Sequence, residues 1–158
     1  MSLDGFEIVP YDKKYQPVFY ELNIAWLEEY FKVESIDEAV LSDPETYILS
    51  KGGEILFAVS GTMVLGVVAM KTGGDGVFEL TKLAVDPNIR KGGIGRALCE
   101  KVIERFQARD GKLLYLETNT LLKNAIRLYH KIGFKELPNP IDSPYERSNY
   151  YMEWQGNT

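Results

Sequence analysis

The residues with the most unusual chemistry are Arg90-Lys91-Gly92-Gly93-Ile94-Gly95-Arg96, three glycines and three cations in seven positions. A β-rich run precedes them and an amphipathic stretch follows. Glycines permit positive φ and let a ligand approach the backbone amides closely. A helix start adds unpaired N–H groups and the positive end of a dipole, which suits phosphate. No acid lies between Pro87 and Cys99, although the 158-residue chain carries a net charge of −5. A positive nest on an acidic protein points to a specific phosphorylated ligand, not to general polyanion binding.

Two familiar phosphate loops fit poorly. Gly93-Ile94-Gly95 opens a G-x-G-x-x-G pattern, but Leu98 holds the third glycine position. Glu117 does sit about where a ribose-binding acid would, yet only one βαβ unit is visible. No G-x-x-x-x-G-K-[ST] occurs. The plain alternative is a tight turn with exposed cations. Composition narrows the field further. A sequence pI near 5.0 argues against nucleic acid as the main partner. A single cysteine, Cys99, excludes an intrachain disulfide and a multi-cysteine metal site, and Cys99 reads as a small buried hydrophobe. One histidine, His130, argues against a histidine-rich metal site, and none is expected. Apolar runs such as residues 63–70 are too short to span a bilayer. No signal-like N-terminus is seen, so a cytoplasmic location is expected.

The elements that must position the loop follow from periodicity. Residues 6–10 alternate as a strand. Tyr15, Val18, Phe19, Leu22, Trp26 and Tyr30 recur at helical spacing over residues 13–31. A short helix is expected over residues 36–41, ending before Pro44. Residues 54–60 and 63–71 read as a hairpin, residues 77–85 as a further strand. A helix over residues 93–109 carries Ile94, Leu98, Val102 and Phe106, with Gly111 just past its end. Residues 112–117 form a strand. A last helix follows, with Asn119 or Thr120 as N-cap and Gly133 at its close. Strands near residues 134–137 and 149–154 complete the chain. The order predicts a mixed α/β arrangement around one sheet, in a single domain over residues 1–158.

At this point the motifs resemble a family. Arg90-x-x-Gly93-x-Gly95 is similar to the acyl-CoA pyrophosphate loop of GNAT-type N-acetyltransferases. Residues 79–87, ELTKLAVDP, look like their fourth strand. Ala125-Ile126-Arg127-Leu128-Tyr129-His130-Lys131-Ile132-Gly133-Phe134 resembles their A-x-x-L-Y-x-K-x-G-F helix and strand. The motifs span about residues 77–134. Many relatives place Asn where this chain has Leu122, and Asn119 and Asn124 are the nearby polar candidates to meet pantetheine.

The resemblance implies acetyl-CoA as co-substrate and a set of roles. Amides of residues 91–96 bind pyrophosphate, helped by the charges of Arg90, Lys91 and Arg96. Leu83, Ala84 and Val85 pair their backbone with pantetheine and polarise the thioester carbonyl. Tyr129 is the candidate acid for the leaving thiolate, or simply a core residue. Glu79, with Thr81 and Leu83 on one strand face by alternation, is a base or an ammonium anchor, or a strand-edge charge. Glu117 is a second acid. Trp26 and Tyr30 are candidate acceptor contacts. Glu34, Asp37 and Glu38 read as a solvated acidic face that can attract a cationic amine, and residues 145–148 as a loop over the site.

The expected function is therefore transfer of acetyl to a primary amine of a small molecule or peptide, by direct attack in a ternary complex. A non-catalytic acyl-CoA-sensing module is the competing expectation. No nucleic-acid or membrane partner is expected, and a homodimer is compatible with the sequence.

Overall fold

The computed structural model describes residues 5–89, 92–140 and 142–156. Arg90 and Lys91 of the glycine–cation loop lie outside the described residues. The elements run β1 (Glu7–Pro10), α1 (Gln16–Tyr30), α2 (Ser35–Ser42), α3 (Pro44–Tyr47), β2 (Glu54–Ser60), β3 (Met63–Gly74), β4 (Val77–Val85), α4 (Ile94–Ala108), β5 (Leu113–Thr118), α5 (Lys123–Lys131), β6 (Phe134–Glu136) and β7 (Tyr150–Trp154). They build one seven-stranded sheet in the order β1-β2-β3-β4-β5-β7-β6. Every neighbouring pair is antiparallel except β4 with β5. This is the mixed α/β sheet flanked by helices that the pattern predicts.

Both faces of the sheet centre are covered, which explains the unbroken apolar runs of β2 and β3. Leu56, Ala58, Val68 and Met70 pack with Leu98, Val102 and Phe106 of α4 on one face. Phe57, Val59, Val67 and Ala69 pack with Phe19 and Leu27 of α1 and with Val40 and Leu41 of α2 on the other.

Several local expectations are corrected. Pro44 does not merely stop a helix; it starts α3, where Asp43 caps the Thr46 amide at 3.3 Å. Proline suits a first helical turn because its missing N–H would have no partner there. The left-handed residue after α4 is Asp110 (φ 54), not Gly111. Gly111 is needed for space instead, since a Cβ there would fall 2.2 Å from the Phe106 ring. Neither Asn119 nor Thr120 caps α5; Leu122 holds that position, and the Asn119 side-chain Oδ1 accepts from Leu121 N at 2.8 Å.

The main irregularity is in β4. Thr81 pairs with Ala69 and Ala84 with Val67, so two residues oppose Val68. This is a β-bulge, with Lys82 in the left-handed region at φ 59. The extra residue flips the side-chain parity of the strand. Leu80 before it and Leu83 and Val85 after it all pack on the α4 side, while Ala84 packs on the α1 side. Leu83 therefore does not share a face with Glu79 and Thr81, as strict alternation predicts.

Candidate active site

β4 and β5 pair for only three rungs, Val77 with Leu113, Phe78 with Leu114 and Glu79 with Tyr115. Past Glu79 the strands separate. β4 continues along β3 to Val85, and β5 continues along β7 to Thr118. The backbone edge of residues 80–85 that faces the gap has no strand partner among the described residues. Such unpaired amides and carbonyls in a recess need a ligand or water. The wedge widens into a cavity of about 280 Å³, walled by both strands, by α1, by α5 and by the loop before β7.

Glu79 lies where the strands part. Burial pushes its carboxyl up to about 7; the Lys71 charge opposes this and the Glu117 charge adds to it. Its partner is the Tyr115 hydroxyl, a long contact of 3.4 Å. The carboxyl is thus poised to change charge near neutrality, as a general base needs. Glu117 lines the same cavity but accepts a 2.8 Å hydrogen bond from Ser148 Oγ.

Tyr129 comes from the inner face of α5. It is 7% exposed, stacks edge-on with Phe134 and lines the cavity. Its hydroxyl has no hydrogen-bond partner among the described residues. A buried hydroxyl left unpaired is uncommon and invites a ligand atom. Burial raises its pKa far above the usual tyrosine value, so the proton stays in place.

A charged cluster closes the opposite wall. Asp37 is held at the third position of α2 by the Glu34 amide, which donates to it at 2.9 Å. Its side chain is fully buried and takes both Arg147 nitrogens, at 2.7 and 2.8 Å. Arg147 also reaches Glu34 at 3.2 Å. Lys82, its side chain 5% exposed, reaches Asp37 at 3.5 Å and donates to the Tyr145 hydroxyl at 2.9 Å. Lys82 and Arg147 both lie over the Tyr145 ring, at 4.6 and 4.4 Å. Burial would push the Asp37 carboxyl up; the Arg147 and Glu34 hydrogen bonds and the two cations overcome this and hold it below its usual value. Burial lowers the Lys82 ammonium to about 8, with Asp37 opposing and Arg147 adding.

The glycine loop meets the far end of the wedge. Gly93 caps α4 at φ 97, and a Cβ on Gly95 would touch Val85 at 3.8 Å. The α4 N-terminus therefore sits at the Val85 end of β4, with Glu79 at the other. No acid occupies its first turn. Arg96 pairs with Glu100 at 3.0 Å on the same helix.

The structure brings Glu79, Leu83, Ala84, Val85, Glu117, Asn119, Tyr129 and Trp26 to one cavity. Residues 92–96 of the glycine loop lie outside its lining, and of the predicted pantetheine and acceptor contacts two are left out. Tyr30 is 49% exposed and stacks on Trp26 outside the lining. Asn124 is exposed and accepts from Arg127 at 2.9 Å. Asn119 is already engaged, donating to Arg147 O at 2.7 Å. Cys99 is buried, its thiol pushed up to about 12, and serves the core as expected. Asp37 is the reverse of the solvated acid that its neighbours suggest. Sequence reasoning missed Lys82, whose signal was a lysine inside an apolar strand. It also missed Asn23, a helix residue 3% exposed that lines the cavity and donates to Phe19 O at 3.0 Å. Among the described residues no cluster of His, Cys, Asp and Glu suits a metal, and no helix is long and apolar enough to cross a membrane.

Known proteins share this architecture. A GNAT-family acetyltransferase of Staphylococcus aureus Mu50 superposes with a TM-score of 0.83 at 22% identity, over 94% of this chain and 98% of its own. The yncA protein of Salmonella typhimurium, solved with its cofactor acetyl-CoA, gives 0.72 at 18% identity, over 96% of this chain and 94% of its own. N-acetylaspartate synthetase of Xenopus tropicalis is 34% identical over 99 residues, 61% of this chain and 36% of that protein. The chain spans about half or less of the length of the curated relatives it matches. Residues 13–134 match the model of the acetyltransferase (GNAT) family, and the chain belongs to that family.

Proposed function

We propose that this chain is an acetyl-CoA-dependent N-acetyltransferase acting on a primary amine through a ternary complex, with residues 1–158 working as one catalytic domain in the cytoplasm. The carrying observation is the open wedge between β4 and β5. It offers an unpaired strand edge, a phosphate-ready helix start at one end, an acid at the other, and the unpaired Tyr129 hydroxyl on its α5 side. An elongated ligand with phosphates at one end and a reactive group at the other fits that layout. Family membership and a neighbour solved with acetyl-CoA support the same reading.

In this reading the amides of residues 92–96 and the cations of Arg90, Lys91 and Arg96 hold the pyrophosphate. The free edge of residues 83–85 pairs with pantetheine, and a backbone N–H near the bulge polarises the thioester carbonyl. Pantetheine then meets Leu122 and Ala125 on the α5 side of the wedge, while Asn119 steadies the loop before β7. Glu79 accepts a proton from the acceptor ammonium, directly or through water. The amine nitrogen bonds to the thioester carbon, and the C–S bond then breaks. Tyr129 gives its proton to the departing sulfur and recovers one from the new amide nitrogen. An ammonium and a thioester thus yield an amide, a thiol and one released proton. Trp26 and Glu117 border the acceptor.

The test is release of free CoA from acetyl-CoA over a broad panel of amines, beside a thermal shift with CoA alone. A shift with amine-dependent release is expected. A shift with no release from any amine would make the chain an acyl-CoA-binding module instead. No shift at millimolar CoA would overturn both.

A further inference from the structure

Around Lys82 and Tyr145 the cavity wall has more donors than acceptors. Lys82 Nζ carries three protons. One goes to Tyr145 Oη at 2.9 Å. A second leans toward Asp37 Oδ1 at 3.5 Å, beyond the ordinary N–H···O range. Asp37 has little left to give. Its Oδ1 already takes Arg147 Nη2 at 2.7 Å, and its Oδ2 takes Arg147 Nη1 at 2.8 Å and the Glu34 amide at 2.9 Å. The third Lys82 proton has no acceptor among the described residues. The Tyr145 hydroxyl accepts from Lys82, and its own proton has no acceptor among the described residues.

Both groups line the cavity that holds Glu79. An ammonium buried this deeply needs a full counter-charge. Asp37 is shared with Arg147, so Lys82 receives only part of its charge, and the other nearby anion is Glu79, which an acceptor ammonium would engage. The lowered proton affinity of Lys82 agrees with that deficit. Glu79, three residues before Lys82 on β4, has the complementary shortage, with one long hydrogen bond for a buried carboxyl. Trp26 and Phe31 give the remaining wall an apolar surface.

The geometry points to an acceptor amine that carries its own carboxylate, received by Lys82 Nζ and Tyr145 Oη while Glu79 meets the ammonium. A free α-amino acid with an apolar or aromatic side chain has this chemistry. A peptide N-terminus has an amide where the carboxylate is required. The overall acidity of the chain, which favours cationic acceptors, does not describe this wall. The inference rests on the acetyltransferase reading above and names the acceptor class for it.

The experiment compares matched acceptors by CoA release. L-phenylalanine is set against phenethylamine and L-leucine against isoamylamine, among the common amino acids. CoA binding is followed separately by calorimetry. The acid of each pair is expected to exceed its decarboxylated amine in kcat/KM by roughly tenfold to a hundredfold. In Lys82→Met, and more mildly in Tyr145→Phe, that ratio is expected to fall toward one while CoA still binds. Retained CoA binding also shows that each variant is folded. Equal or better turnover of the decarboxylated amines overturns the inference, as does an unchanged ratio in both variants. CoA binding with no turnover of any amino acid overturns it too. Loss of CoA binding by the unmodified protein would fell the acetyltransferase reading itself, and this inference with it.

Discussion

Glu79 and Tyr129 border one cavity but hold their protons at opposite ends of the scale. Burial leaves Glu79 close to neutrality and keeps Tyr129 protonated at every ordinary pH. Around Glu79 stand Lys71, Lys82, Glu117 and Tyr115; burial, helped by the Glu117 charge, outweighs the other three. If Glu79 is the base, kcat/KM should rise through about pH 7 as it loses its proton. Glu79→Gln should remove that limb and lower kcat/KM by about a hundredfold, with CoA affinity retained. Unchanged turnover would reassign the residue. The same substitution should stabilise the fold. A carboxyl whose folded pKa is raised contributes most below its unfolded value of 4.5, and that contribution is lost as pH rises toward 7. At pH 8 the glutamine variant should therefore gain on the order of 3 kcal/mol, roughly 6–12 °C in Tm, and at pH 4 almost nothing. Thermal melts at the two pH values check the sign. Tyr129→Phe keeps the ring against Phe134 and removes only an unpaired hydroxyl. Its kcat should fall about tenfold to a thousandfold with Tm held or slightly raised, since no protein hydrogen bond is lost. An undiminished kcat would leave Tyr129 to the core.

At the scale of elements, the strands, the two long helices and the glycine turn were legible because each has its own period or cap. The wedge was not. It depends on β4 leaving β5 after three rungs while each strand keeps its other neighbour, and no local pattern records that. The bulge was illegible for a related reason. Thr81-Lys82-Leu83 reads as ordinary alternation until Lys82 takes φ 59, and one extra residue then turns Leu83 away from the Glu79 face. The α4 start is the element whose function is simplest to test. A Cβ at Gly93 meets nothing within 4 Å, so the folded core does not oppose substitution, although φ 97 adds backbone strain. Gly93→Asp places a carboxylate where the phosphates would sit, against the direction the helix dipole favours. The variant should remain folded by circular dichroism and lose the CoA-induced thermal shift. A shift equal to that of the unmodified protein would move the phosphate site elsewhere.

At the scale of the molecule, residues more than a hundred positions apart meet at Asp37. It joins α2 to the bulge of β4 through Lys82 and to the loop before β7 through Arg147. Its acidic neighbours made it look like surface, because burial by a partner so distant leaves no trace in local composition. The link places Lys82 and Arg147 on one carboxylate, with Glu34 as a further partner of Arg147, and holds the loop across the acceptor wall. Asp37→Ala would leave Lys82 without its ion-pair partner and Arg147 with Glu34 alone, which costs roughly 3–5 kcal/mol for buried pairs and about 10 °C or more in Tm. The pH dependence separates this from simple loss of packing. The Asp37 pKa is lowered on folding, so its contribution is complete above the unfolded value of 3.8 and fades as pH falls through the lower folded one. Urea melts at pH 6 should show the full gap between the two proteins, and melts near pH 3 a smaller one. A gap that stays constant with pH would mean that Asp37 stabilises by shape and not by charge. Arg147 would then hold the loop through Glu34 and Asn119 alone.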